Sequence, residues 1–155
     1  MSKSVKRVQK ALGALKLDTS IQHMPGSTRT AEDAATACNC SVEQIVKSMI
    51  FEGAETGKLR LLLVSGKHTV DLARAADIFG ETLIRADPRR VRSETGFAIG
   101  GVSPVGHLSE TDTWMDAALL EHDRIWAAAG APNAVFSVAP QELKDATASK
   151  IFQIG

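Results

Sequence analysis

Nowhere in the 155 residues does an apolar run approach the roughly 20 residues that a membrane-spanning helix needs, and the opening MSKSVKR lacks the apolar centre of a signal peptide. These absences predict a soluble, cytoplasmic protein with no membrane partner. Net charge is missing as well. Eighteen Lys and Arg balance eighteen Asp and Glu, so no global field draws the chain to nucleic acid or lipid, and any such attraction must be local. Cysteine is scarce: Cys38 and Cys40 stand in CNC, a spacing that fits neither a C-x-x-C metal site nor a redox motif and that closes a disulfide only with strain. Both are expected to be reduced thiols. The histidines His23, His68, His107 and His122 are scattered, without an i, i+3 or i, i+4 ligand partner, so neither a metal nor another cofactor is expected. Repeats, low-complexity tracts and long linkers are also absent. With 44% hydrophobic residues, the chain is expected to form one domain over residues 1–155 around a sizeable core.

What is present is a mixture of helical and strand periodicities. Val5, Val8, Leu12 and Leu15 recur at helical spacing, with Lys3, Lys6, Arg7 and Lys10 on the opposite face. That basic face is either a solvated surface or an edge that touches phosphate. IQHMP (21–25) reads as a short strand, and Thr30 caps a helix over AEDAATAC, whose Glu32 and Asp33 suit the helix dipole. VKSMIFEG alternates as a strand, and Lys47 is the lone charge in the mostly apolar run from Ile45 to Phe51. LRLLLVSG (59–66) is the clearest strand, with the continuous apolar character of one buried on both faces. Asp71 and Gly80 bracket a helix, as do Asp87-Pro88 and Gly96, and the second of these helices carries Arg89, Arg90 and Arg92. TWMDAALL, RIWAAAG and NAVFSVA read as strands, with AALLEH able to turn helical; PQELKDATA reads as a last helix and KIFQI as a closing strand. Several strands follow one another too closely for helical crossovers. The expected fold is therefore mixed α/β (α+β): a curved, barrel-like mixed sheet surrounded by helices.

FAIGGVSPVGH (97–107) packs Gly100, Gly101, Pro104 and Gly106 into one loop. It lacks the lysine of a phosphate-binding P-loop, and its glycine spacing and Pro104 rule out a dinucleotide fingerprint. A serine elbow fails because Ser103 is followed by a proline with no N–H. Two readings stay open: a tight bend between strands, or a set of backbone amides close enough to a ligand to hold a carbonyl oxygen.

TAEDAA (30–35), IVKSMIFEG (45–53), LLLVSGKHTVDLARAADIFG (61–80), ADPRRVRSETGFAIGGVSPVGH (86–107) and AAAGAPNAVFSVAPQEL (127–143) together resemble the YbaK/ProX aminoacyl-tRNA deacylases, relatives of the editing domain of bacterial prolyl-tRNA synthetases. The resemblance implies trans editing, that is, hydrolysis of the ester joining a wrong amino acid to tRNA, with proline tRNA as the leading substrate. The 3′ end of aminoacylated tRNA would be the partner, with prolyl-tRNA synthetase as a further one. Lys47 matches the lysine the family requires, and Gly100 and Gly101 match the loop facing the aminoacyl carbonyl. Ser103 and Pro104 complete that motif, and Gly130 lies in the second glycine loop beside the pocket. His23, Met24, Ser27 and Thr28 are expected along its wall. Lys47 would orient substrate through a phosphate or ribose of the terminal adenosine, or act as a base if burial lowers its pKa. The alternative is a non-catalytic module of the same fold that binds a tRNA end or a nucleotide-like ligand.

Overall fold

The computed structural model describes residues 2–26 and 28–154. Helix α1 (Lys3–Ala14) starts where the Ser2 hydroxyl accepts a hydrogen bond from Val5 N at 3.2 Å, and it buries Val5, Val8 and Leu12. Leu15, expected on the same face, is instead 40% exposed, because the helix has already ended at Ala14. Lys3, Lys6 and Lys10 face solvent as expected, but Arg7 turns inward. Its Nε and Nη2 donate to Gly106 O (3.0 Å) and Gly96 O (2.7 Å), and its guanidinium lies over the Phe97 ring. Three carbonyl and ring contacts on one side chain outweigh the exposed position that simple periodicity assigned to it.

Strands β1 (Gln22–His23), β2 (Val46–Gly53), β3 (Leu59–Ser65), β4 (Leu83–Arg85), β5 (Asp112–Asp116), β6 (Ile125–Ala128), β7 (Ala134–Val138) and β8 (Lys150–Phe152) form two sheets, ordered β4-β2-β3-β5-β8 and β1-β7-β6. β2 and β3 make an antiparallel hairpin and β6 pairs antiparallel with β7, whereas β3–β5 and β5–β8 are parallel. A parallel bridge between Ile45 and Trp126 joins the sheets, giving the mixed, curved arrangement. Helices α2 (Ala31–Cys38), α3 (Leu72–Phe79), α4 (Pro88–Thr95) and α5 (Pro140–Thr147) follow the expected caps: Thr30, Asp71 and Asp87 accept from first-turn amides, and Gly80 and Gly96 end α3 and α4. β4 is a strand the sequence did not announce, since only Leu83 of its three residues is buried. TWMDAALL divides: β5 stops at Asp116, whose Oδ1 accepts from Ala118 N at 3.0 Å and starts a 3₁₀ turn over Ala117–Glu121.

β3 is central and buried throughout. Leu61 and Leu63 join the core formed with Val5, Val8, Phe97 and Phe136, while Leu62 and Val64 join a second core with Phe51, Ala75 and Phe152. Alternate side chains of one strand thus serve two apolar layers, so its run is continuous rather than alternating.

The charged residue in β3 is Arg60, which is buried against Glu81 (3.0 Å) and lies over the Phe79 ring. The Glu81 carboxylate also accepts from Glu55 N, Thr56 N and Thr56 Oγ1. The Thr56 hydrogen bonds are foremost in holding its pKa down to about 2 from an ordinary 4.5. A depressed carboxylate stabilises the fold fully above its unfolded pKa and loses that contribution as pH falls through the folded one. Denaturation midpoints should therefore drop between about pH 5 and pH 2, and Glu81→Gln should flatten that slope while lowering stability at neutral pH. An unchanged slope in Glu81→Gln would assign the acid sensitivity to other groups.

Candidate functional site

Three segments meet around the middle of β2: Lys47 and Ser48, the loop after α4, and residues 126–131 opposite the start of α2. Lys47, Ser48, Gly100 and Val102 form a wall shared by two hollows. The smaller, about 180 Å³, is completed by Thr28 and by Ala31, Ala34, Ala127, Ala128 and Ala131 among others. The larger, about 630 Å³, opens toward β4 and the segment before α3.

Lys47 Nζ donates to the His68 carbonyl. Burial lowers its pKa, and the charges of Glu32 and Asp116 partly counter that. Behind His68 lies an anchor that no sequence pattern singled out. Asp116, 1% exposed, accepts from Ser65 N (3.1 Å) and meets His68 Nδ1 at 2.7 Å through Oδ2. The peptide carrying the lysine's acceptor is thereby held by a buried carboxylate at the end of a neighbouring strand. The only sequence signal for Asp116 was an acid closing an apolar strand, which reads equally well as a helix cap. Ser48 Oγ, beside Lys47, is buried without a hydrogen-bond partner among the described residues.

The glycine loop is pinned on one side by Arg7 and free on the other. Gly100 takes φ +96°, a conformation that L side chains rarely adopt, and open space lies where its Cβ would be. Gly101 is buried; its N–H donates to Ala98 O at 3.0 Å, and a Cβ there would sit 3.5 Å from Ala131. The loop is therefore both a bend and a cleft wall. The amide of Gly101 is occupied within the turn, whereas those of Gly100 and Val102 donate to no backbone carbonyl among the described residues.

Lys47, Gly100 and Thr28 thus share the smaller hollow. Ser103 is fully buried, its hydroxyl accepting from Val105 N (3.2 Å) and its carbonyl from His107 Nε2 (2.6 Å), and Pro104 lines a separate depression beside His107. Burial lowers the pKa of His107. Gly130 presses its loop against α1: at φ +95° an added Cβ would lie 3.0 Å from Ser4 O and 3.1 Å from Phe97 Cε1. His23 is exposed on β1 and Met24 N bonds to Asn133 O (2.8 Å); neither lines the hollow. Ser27 lies outside the described residues. Of the arginines on α4, Arg90 is engaged by Glu94, Glu52 and Gly57 O, while Arg89 and Arg92 stay exposed. No helix among the described residues is long and apolar enough to cross a membrane.

A crystal structure described as a candidate trans-editing enzyme for prolyl tRNA synthetase is 43% identical, superposes with a TM-score of 0.92, and the match covers 99% of this chain and 98% of that one. The hypothetical protein APE2540 is 25% identical with a TM-score of 0.86, over 96% and 98% of the two chains. The uncharacterized protein YwhH of Bacillus subtilis (strain 168) is 27% identical over 149 residues, 96% of this chain and 94% of that protein. Residues 26–146, which run from just after β1 into α5 and contain Lys47, the glycine loop and Asp116, match the aminoacyl-tRNA editing domain. The chain belongs to the aminoacyl-tRNA editing domain family.

Proposed function

We propose that this protein is a free-standing deacylase that hydrolyses the ester of a mischarged tRNA, with a small amino acid on proline tRNA as the favoured substrate. The observation that carries the reading is the ammonium of Lys47 set beside Gly100 in a cleft whose smaller arm is lined by Ala31, Ala34, Ala127, Ala128 and Ala131 together with larger residues that include Arg29 and Trp126. An aminoacyl ester is already activated, so the site needs to position water and stabilise the tetrahedral oxyanion rather than supply a strong nucleophile. Water adds to the carbonyl carbon, the bond to the ribose oxygen breaks, and that oxygen takes up a proton as free amino acid and tRNA form. The unengaged amides of Gly100 and Val102 are the donors available to the carbonyl oxygen. Lys47, tied to the His68 carbonyl, keeps two further donors for a ribose or phosphate oxygen. The small volume of that arm, about 180 Å³, suits a small side chain rather than a large one. The family and the neighbour described as acting for prolyl tRNA synthetase support both the activity and the tRNA.

A panel of mischarged tRNAs incubated with purified protein tests this reading. Release of a small amino acid from proline tRNA is expected. Gly101→Ala, whose added methyl meets only ordinary contact distances, should reduce the rate while keeping the melting temperature near that of the parent. Saturable tRNA binding without release of any amino acid would replace the deacylase with a binding module.

A further inference from the structure

His107 lines neither hollow of the cleft, yet both of its ring nitrogens are committed. Nε2 meets Ser103 O at 2.6 Å, and a carbonyl oxygen only accepts, so that nitrogen carries a proton. Burial, and secondarily the nearby charge of Arg7, disfavour the doubly protonated ring, which leaves Nδ1 to accept from Thr111 Oγ1 at 3.1 Å. Phe97 fixes the ring a third time, edge to face, with centroids 5.2 Å apart and an interplanar angle of 72°. The other side of this cluster is Arg7, which lies over Phe97 and bonds Gly96 O and Gly106 O.

We propose that His107 is a positioning residue for deacylation, holding the Ser103–Pro104 peptide so that the free amides of Gly100 and Val102 keep one place beside Lys47. The inference rests on the deacylase reading. Its physical basis is that the glycine loop is braced unevenly. Its base is closed by Leu108 N to Thr95 O (3.0 Å), by Ser109 N to Glu94 O (3.2 Å) and by the two carbonyl bonds of Arg7. The tip, residues 98–102, contributes Ile99, Gly100 and Val102 to the cleft and has one backbone hydrogen bond among the described residues, from Gly101 N to Ala98 O (3.0 Å). Gly100 has no side chain with which to fix itself, and its φ of +96° is one that glycine leaves as readily as it enters. Beyond the tip stands Pro104, which has no N–H, so the peptide that ends this stretch offers only the Ser103 carbonyl as a handle. His107 takes that handle from the side away from the cleft. Ser103 is fully buried, so solvent does not stand in for the imidazole. Preset amides act on a developing oxyanion only from the right place, and a misplacement of about 1 Å costs up to about a hundredfold in rate.

His107→Leu, His107→Gln and Thr111→Val, compared in steady-state deacylation and in backbone amide NMR spectra of the intact protein, test the assignment. His107→Leu keeps apolar bulk but loses the donor, and it should lower kcat about tenfold while KM stays within about twofold. His107→Gln, whose side-chain amide can donate to Ser103 O, should recover most of that loss. The Gly100 and Val102 resonances should move in His107→Leu and return toward their parent positions in His107→Gln. A histidine that merely fills space would not make rate and resonances follow the donor. Parent kcat in folded His107→Leu, or equal losses in the Leu and Gln variants with those two resonances unmoved, would overturn the assignment and leave the deacylase standing. Should His107→Leu fail to fold, Thr111→Val, which frees the ring to turn, carries the test: displaced Gly100 and Val102 resonances uphold the assignment and unmoved ones overturn it. Resonances that follow the donor in a protein that hydrolyses no aminoacyl-tRNA would uphold the brace on the loop and sink the deacylase.

Discussion

Lys47→Ala is expected to lower deacylation of the preferred mischarged tRNA by about a hundredfold or more while changing stability by no more than about 1 kcal/mol. The activity loss follows from removing the ammonium on the wall that the substrate ester would share with Gly100. The small stability change follows because the lysine is half-buried, makes one hydrogen bond to a backbone carbonyl and carries a desolvation cost that alanine removes. Lys47→Arg should not restore full rate, since a planar guanidinium cannot reproduce the direction of the ammonium toward His68 O. Single-turnover assays with circular dichroism melts measure both quantities. Parent-like turnover in Lys47→Ala would remove the lysine from the mechanism. The pH profile separates its two conceivable roles. If the ammonium positions substrate, enzymatic rate above the spontaneous background falls as pH rises through the lowered lysine pKa; if the free amine is the base, the rate rises there.

Asp116→Ala should destabilise the fold by about 1–3 kcal/mol, and it should also slow deacylation although Asp116 does not line the cleft. Its carboxylate accepts from Ser65 N and Ala118 N and meets His68 Nδ1, and it is almost wholly buried. Removing it leaves a buried donor at Ser65 without its partner, releases the 3₁₀ turn and frees the peptide to which Lys47 is tied. Asp116→Asn should retain more stability, because one carbonyl oxygen remains to accept. Urea unfolding reads the first effect and the kcat of soluble, folded variant the second. A change below about 0.5 kcal/mol with parent kcat would make the carboxylate a bystander.

Much of the fold could be read from local pattern because local physics decided it. The side chains of Thr30, Asp71 and Asp87 cap helices by accepting from amides two or three residues on, and the run of β3 reads as a strand covered on both faces. β4 escaped notice because its three residues acquire strand identity from the edge of β2 rather than from any periodicity of their own. Asp116, unremarked within TWMDAALL, caps the 3₁₀ turn with one oxygen; its second oxygen serves β3 and His68, which adjoin it only after β5 has paired parallel to β3.

The sequence alone determined the family, through the order of its segments, and placed Lys47 and the glycine loop at the centre of interest. Tertiary structure decided which atoms of those segments remain available. Arg7 spends its charge on carbonyls of the loop, the Gly101 amide closes a turn, Ser103 turns its hydroxyl inward, and Gly100 is left open beside Lys47. Every backbone amide except proline's is a donor in the sequence; only after packing has satisfied most of them does it emerge which ones a substrate can still reach.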